Sequence, residues 1–325
     1  MSGDRRRGAF AGLAVGDAAG WPAARHRSAV HAPWSRRLYR ELDAFAEEHR
    51  VTTLPVPFAL NQPTAPLALG PSDDAEWLAW TALTLKQDRA EAYGQLAGRE
   101  DIRARISVAT ALDNLAKGVG PPASGHDNPH HFDDAAAIRA VAFGVLGLDP
   151  TEDAQVTNAE DGLRAAQAMA AAIRAAVETG SATEAVEAAL AVLPQDTAIG
   201  HNARIARQAA RKAGDAFAAV PALDAALVDH VYSYAVGAAQ TVPAALALAE
   251  VSGGRLREAV PAAACLSALA DSAPALAGAL TGACGGYEAI PQGWVDSSRT
   301  LAGCCLPELA GRDLMELVEL LEGLA

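Results

Sequence analysis

The chain has 325 residues, long enough to bury a full hydrophobic core, and carries a formal net charge of −13 with acidic residues spread throughout. No basic run extends beyond Arg5-Arg6-Arg7, so no cationic face exists to neutralise phosphates, and nucleic acid is not an expected partner. Half of the residues are hydrophobic but aromatics reach only 5%; the apolar content is dominated by alanine, which favours helix and is depleted from strands, so the composition predicts an all-α fold.

Taken in order, Arg7 to Ala19 reads as a helix with Gly8, Gly12 and Gly16 on one stripe, which clears a path for a second helix, and Gly20 reads as its C-cap. Asp17 is expected to make a structural hydrogen bond at that helix end. Residues 20–71 read as an irregular excursion near a site, with a short helix from Ser35 to His49 and a proline-broken run from Val51 that rules out a central strand. His26 and His31 lie there as expected surface histidines. Ser72 opens a helix to about Leu85, followed by Glu91–Leu96 and Arg103–Lys117. A Gly/Pro loop from Gly118 to Asp134 then enters the helix Ala135–Leu146, with Asp133 or Asp134 as its N-cap. His126, Asp133 and Asp134 of this polar loop are the candidate substrate contacts. His126 and His130 stand four apart, but Pro129 argues against the helix that a metal pair would need.

Helices follow at Asn158–Thr179, Ala182–Val192, His201–Ala213, Ala222–Leu227, Val242–Glu250, Arg255–Leu269, Ala273–Cys284 and Leu306–Leu324. The run Val231 to Gly237 is the most strand-like, although isolated. Nothing marks a linker or repeat, so residues 1–325 read as one domain. Cys265, Cys284, Cys304 and Cys305 lack CxxC spacing and read as buried free thiols. The charged start lacks a secretory core, and Pro261, Asp271 and Pro274 interrupt the most apolar later segment. A cytoplasmic chain with no membrane partner is expected.

Two helix starts carry the chemistry. Pro71-Ser72-Asp73-Asp74-Ala75-Glu76 places a hydroxyl and three carboxylates within five residues, and Asp271-Ser272-Ala273-Pro274 is a sparser version. Adjacent aspartates in a helix diverge by about 100°, so both reach one ion only where the chain is still turning into the helix. Their oxygens are hard ligands, suited to Mg²⁺, Mn²⁺ or Ca²⁺. The competing reading is a capping box from Asp73 to Glu76, with first-turn carboxylates complementing the helix dipole and Asp271 or Ser272 a simple cap.

The opening Arg7-Gly-Ala-Phe-Ala-Gly-Leu-Ala-Val-Gly-Asp-Ala-Ala-Gly-Trp-Pro resembles that of ADP-ribosylglycohydrolases, the group that includes dinitrogenase reductase activating glycohydrolase. Ser72-Asp73-Asp74 falls at that family's Thr/Ser-Asp-Asp metal motif, Ala135 to Gly144 resembles its "GAAMRVAPLG" segment, Thr241 to Leu248 its later helix, and Asp271 to Trp294 its closing "DTDTIAAIAGAIAGA…IP..W". The resemblance implies an orthogonal all-α bundle with one or two Mg²⁺ or Mn²⁺ ions at one end, holding the ribose diol of an ADP-ribosyl group. It implies Ser72, Asp73, Asp74, Asp271 and Ser272 as metal ligands, and Asp73 or Asp74 as the catalytic carboxylate that orients water against an N- or O-glycosidic bond.

Three departures accompany it. Leu269 stands where the family's D-x-D-[ST] has an aspartate, which puts the second ion in question; Ala75 replaces the usual threonine; and Ala24 falls where some members carry a glutamate. Glu76, Asp133 or Asp134 are the available substitutes for the lost carboxylate. The expected activity is a metal-dependent hydrolase acting on an ADP-ribosylated or small-molecule ribosyl substrate. The alternatives are a catalytically silent relative that binds a nucleotide-like ligand or a partner protein, and a diverged glycosidase with another substrate.

Overall fold

A computed structural model describes residues 2–30, 48, 50, 70–228 and 235–323. Among them are sixteen α-helices and no strand: α1 Ser2–Val30, α2 Asp73–Thr84, α3 Arg89–Gly94, α4 Ile106–Ala116, α5 Ala123–His126, α6 Ala135–Leu146, α7 Thr151–Thr157, α8 Glu160–Thr179, α9 Ala182–Val192, α10 Ala198–Ala213, α11 Ala216–Leu227, α12 Ala238–Val251, α13 Leu256–Cys265, α14 Ala273–Gly285, α15 Gln292–Ser298 and α16 Leu314–Glu322. The expected all-α class holds.

The centre of the bundle is made from its least bulky helices. Every residue of α14 from Ala273 to Cys284 is buried, as is every residue of α6 from Ala135 to Val145. A helix apolar on all sides belongs in the interior, and alanine and glycine let neighbours come close. The glycine stripe of α1 shows how close. A Cβ on Gly12 would stand 2.1 Å from the Gly278 carbonyl oxygen, and one on Gly278 would stand 2.0 Å from that of Gly12; Gly8 and Gly282 face each other in the same way. Backbone therefore lies on backbone along α1 and α14, and any side chain would force them apart.

Gly20 belongs to this stripe instead of ending the helix. A Cβ there would meet the Ala270 carbonyl oxygen at 2.0 Å, and α1 continues to Val30. Residues 20–30 of the expected excursion are thus helical; its short helix at 35–49, the run from Val51 and the environments of His26 and His31 lie outside the described residues. So do residues 231–234 of the strand-like run. Its last residue, Gly237, pairs with Asp133 in an isolated antiparallel bridge that ties the polar loop to the start of α12.

Other differences have local causes. Pro221 and Pro243 fall inside α11 and α12, which begin at Ala216 and Ala238, earlier than the expected Ala222 and Val242. A proline in a helix frees the carbonyl four residues back; for Pro243 that is Ala239, whose oxygen accepts from Asn202 Nδ2 at 2.7 Å. The C-terminal helix begins only at Leu314, after a 3₁₀ turn at Pro307–Leu309, and buries Leu314, Leu317, Val318 and Leu321 at helical spacing. All four cysteines are free, but Cys265 is exposed. Among the described residues no helix is long and apolar enough to cross a membrane.

Candidate active site

The acidic turn before α2 is held from below by Asp17, a buried residue of α1. Its Oδ2 accepts from the backbone N–H groups of Ser72 at 2.7 Å and Ala75 at 3.0 Å, and its Oδ1 accepts from the Ser72 hydroxyl at 2.5 Å. A carboxylate on another helix thereby does what an N-cap normally does, satisfying an amide that the first turn of α2 leaves open. Ser72 occupies the N-cap position but makes no side-chain cap bond: the Ala75 amide it would accept from is taken by Asp17, to which its own hydroxyl donates. The structural role expected of Asp17 is borne out, in the middle of a helix. Burial, helped by the charge of Asp73 and opposed by these hydrogen bonds, pushes the Asp17 carboxyl up to about 7.

Glu76 does not close a capping box. Its buried carboxylate turns away and accepts from three successive amides, Cys304 N at 2.8 Å and Cys305 N and Leu306 N at 2.7 and 3.0 Å. Both oxygens are spent on clasping the 304–306 loop, so Glu76 is no substitute ligand for a cation in the acidic turn.

The two acidic helix starts meet at a residue that no sequence pattern marked. Arg105, at the N-cap position of α4, projects its guanidinium between them. Its Nε donates to Asp73 Oδ2 at 3.3 Å, and its Nη2 donates to Asp74 Oδ1 at 2.5 Å and to the Ser272 hydroxyl at 2.8 Å. Its Nη1 pairs with Asp134. Burial acts to lower the guanidinium pKa, but the surrounding charges of Asp74, Asp73, Asp271 and Asp133 prevail and raise it, so Arg105 stays cationic. In the other direction, burial and the charges of Asp73, Asp17 and Asp271 hold Asp74 well above the usual carboxylate range, although Arg105 opposes them.

These contacts place six expected site residues. Ser72, Asp73, Asp74 and Ser272 come together at or beside the guanidinium, Asp271 within reach of its charge, and Asp134 joins them from the start of α6. Asp133 is turned to structural use on one side: its Oδ1 accepts from Ala135 N at 3.1 Å and Asn158 Nδ2 at 3.0 Å. His126 ends the short helix α5, is exposed, and stacks on His131 with ring centroids 6.3 Å apart; its described contacts do not link it to the acidic cluster. Three carboxylate oxygens, Asp74 Oδ2, Asp133 Oδ2 and Asp134 Oδ2, are buried without a hydrogen-bond partner among the described residues.

The ADP-ribosylglycohydrolase family model matches residues 2–323. The chain belongs to the ADP-ribosylglycohydrolase family. A solved structure described as an "ADP-ribosylglycohydrolase-related protein complex" superposes with a TM-score of 0.55 at 22% identity, over 98% of this chain and 97% of that one. At such identity the likeness carries the fold alone. No curated protein matches the chain.

Whether the family-implied Mg²⁺ or Mn²⁺ suits these residues depends on their free oxygens. The donor chemistry is right, since carboxylates and hydroxyls are what hard cations take. The arrangement is not. Ser72 is committed to Asp17, and Asp73, Asp74, Asp134 and Ser272 each give one oxygen to Arg105; Asp74 Oδ2 and Asp134 Oδ2 stay free, but these residues form no triad of converging ligand atoms, and Leu269, 2% exposed, offers no oxygen. Among the described residues, the one triad of His, Cys, Asp or Glu whose ligand atoms all come within 4.8 Å of one another is Glu76–Cys304–Cys305, whose carboxylate is already occupied by amides. As arranged, the acidic residues do not fit a two-ion set.

Proposed function

We propose that this family member hydrolyses an N- or O-glycosidic bond at the ribose of an ADP-ribosyl or related ribosyl substrate. The observation that carries the reading is the convergence of two acidic helix starts, distant in sequence, on one guanidinium. Asp74 Oδ1 and Ser272 Oγ are both within hydrogen-bonding distance of the same Arg105 nitrogen.

Exposure divides the roles of the adjacent aspartates. Asp74 is 2% exposed and Asp73 22%, so water reaches Asp73. Asp73 is assigned to orient the attacking water, while Asp74 and Asp134 fix the guanidinium. A carboxylate that positions water or takes its proton contributes roughly 10²–10⁴-fold. The Asp73→Ala variant is therefore expected to lose at least about 100-fold in kcat with little change in thermal stability. Release of ADP-ribose from ADP-ribosylated arginine, serine and O-acetyl model substrates is the assay. Turnover that survives in this variant would remove the assignment.

The engagement of both aspartates by Arg105 favours a second reading, a silent relative that binds an ADP-ribose-like ligand without cleaving it. Saturable ADP-ribose binding by calorimetry, with no release from any of the model substrates, would select it.

A further inference from the structure

We propose that the Arg105 guanidinium takes the place of the family's divalent cations, so that the pocket is charge-compensated by the chain itself and holds its ligand without Mg²⁺ or Mn²⁺. The inference rests on the acidic pocket being the ligand site, and not on turnover.

Four features lead to it. The guanidinium directs four of its five N–H groups at the residues that the family resemblance makes metal ligands or their substitutes: Asp73, Asp74, Ser272 and Asp134. The family aspartate that should complete the second half-site is Leu269, which is buried among apolar neighbours and cannot approach any cation. The missing negative ligand at Leu269 and the positive group held among the remaining carboxylates act in the same direction, and both disfavour a divalent ion. Finally, Arg105 is not a loose surface side chain. Its carbonyl accepts the first helical bond of α4, from Ala109 N at 2.9 Å, and its neighbour Arg103 donates through N–H to the Cys305 carbonyl at 3.0 Å. That ties the segment to the loop clasped by Glu76.

A guanidinium serves this position differently from a metal. It presents donors in a planar fork and cannot take additional oxygen ligands above and below that plane, as an octahedral ion does. The ribose hydroxyls would then be received by protein oxygens beside the fork instead of bridging an ion. Asp74 Oδ2 and Asp134 Oδ2, the unpartnered oxygens of two carboxylates that hold the fork, are the acceptors available beside it.

Metal binding by the full chain, stripped with EDTA, tests this without any activity. Mn²⁺ is titrated and the free ion followed by electron paramagnetic resonance, alongside thermal melting in EDTA and in Mn²⁺, for the wild type, Arg105→Gln and Arg105→Lys. The expected result is no saturable Mn²⁺ site and no shift in Tm for the wild type and for Arg105→Lys, which keeps the charge. Arg105→Gln is expected to gain a site, binding Mn²⁺ at least about tenfold more tightly than the wild type, and to lose it again when combined with Asp74→Asn. A saturable Mn²⁺ site in the wild type that Asp74→Asn abolishes overturns the proposal, as does an Arg105→Gln protein that folds and gains nothing. Should Arg105→Gln not fold, the wild-type titration and its Asp74→Asn counterpart decide alone. ADP-ribose calorimetry in EDTA is run separately. Silence there and in Mg²⁺ would remove the proposed function while leaving the Mn²⁺ result intact.

Discussion

The molecule contains two buried arginine–carboxylate clusters with opposite proportions. At the junction of α2, α3, α6 and α7, a single carboxylate, Asp153, lies between two guanidiniums: Arg139 Nε donates to Oδ2 at 2.9 Å, and Arg89 donates to Oδ1 through Nη2 at 2.8 Å and Nε at 3.0 Å. The surplus positive charge faces aromatic rings, with Arg89 5.3 Å above Trp80 and Arg139 5.5 Å from the Tyr93 centroid. Arg139 also donates to Thr157 Oγ1 at 2.6 Å and Arg89 to the Thr84 carbonyl at 2.7 Å. At the acidic pocket one guanidinium serves several carboxylates, the surplus is negative, and three oxygens lack partners. The first cluster engages its carboxylate fully and leaves a cationic group, Arg139 Nη1, as its buried atom without a partner among the described residues. The second is complete only with respect to its cation. Unsatisfied buried polar groups cost stability, and each marks a place where water, an ion or a ligand can supply the partner.

Breaking the first cluster should cost most. Removing one partner of a buried ion network strands the remaining charges, so Asp153→Ala is expected to lose about 3–5 kcal/mol of unfolding free energy in urea denaturation. A loss below about 1 kcal/mol would erase the distinction between the clusters.

The pH dependence should have opposite signs at the two places. Burial acts to raise the Asp153 pKa, but the charges and hydrogen bonds of Arg139 and Arg89 outweigh it and leave the carboxyl below its ordinary 3.8. Its contribution is therefore present above that value and disappears as pH falls through the lowered one. Asp17 is raised from 3.8 to about 7, so its contribution is present in acid and disappears as pH rises across that interval. Melting curves from pH 3 to 8 on wild type and Asp17→Asn check this: the variant should show a flatter decline between about pH 4 and 7, and an unchanged slope would refute the assignment to Asp17.

The smallest effect sharpens the comparison. Arg105 keeps Asp73 and Asp134 as charged partners when Asp74 is changed, so Asp74→Asn should lose less stability than Asp153→Ala. A loss as large as that of Asp153→Ala would mean that the pocket is as structurally committed as the other cluster.

Much of the fold was legible because periodicity and capping are local. The bounds of Ala135–Leu146 and Ala182–Val192 agree with their sequence patterns, and the glycines of α1 announced a close helix neighbour. The helix α7 was missed altogether, being seven residues of mixed polarity with no caps to mark it. Glu76 misled for a related reason: its spacing from Asp73 fits a local bond, while its true partners lie 228–230 positions away. The acidic turns themselves were visible as motifs. Arg105 was not, because its partners stand 29, 31, 32 and 167 residues away and a lone arginine at a helix start carries no signal. What a side chain does across the fold is written only in the fold.

The glycine contact between α1 and α14 has a bearing on how such a pocket can open. Gly16 adjoins Asp17, and a Cβ there would stand 2.0 Å from the Pro274 carbonyl oxygen, two residues beyond Ser272. The helix that anchors one acidic turn is thus keyed, backbone to backbone, beside the start of the other. Interlocked surfaces of this kind can neither slide nor part without losing all of their fit at once. α1 and α14 are therefore the fixed frame of the pocket, and a ligand has to seat against them and the bonded Arg105 guanidinium without parting them.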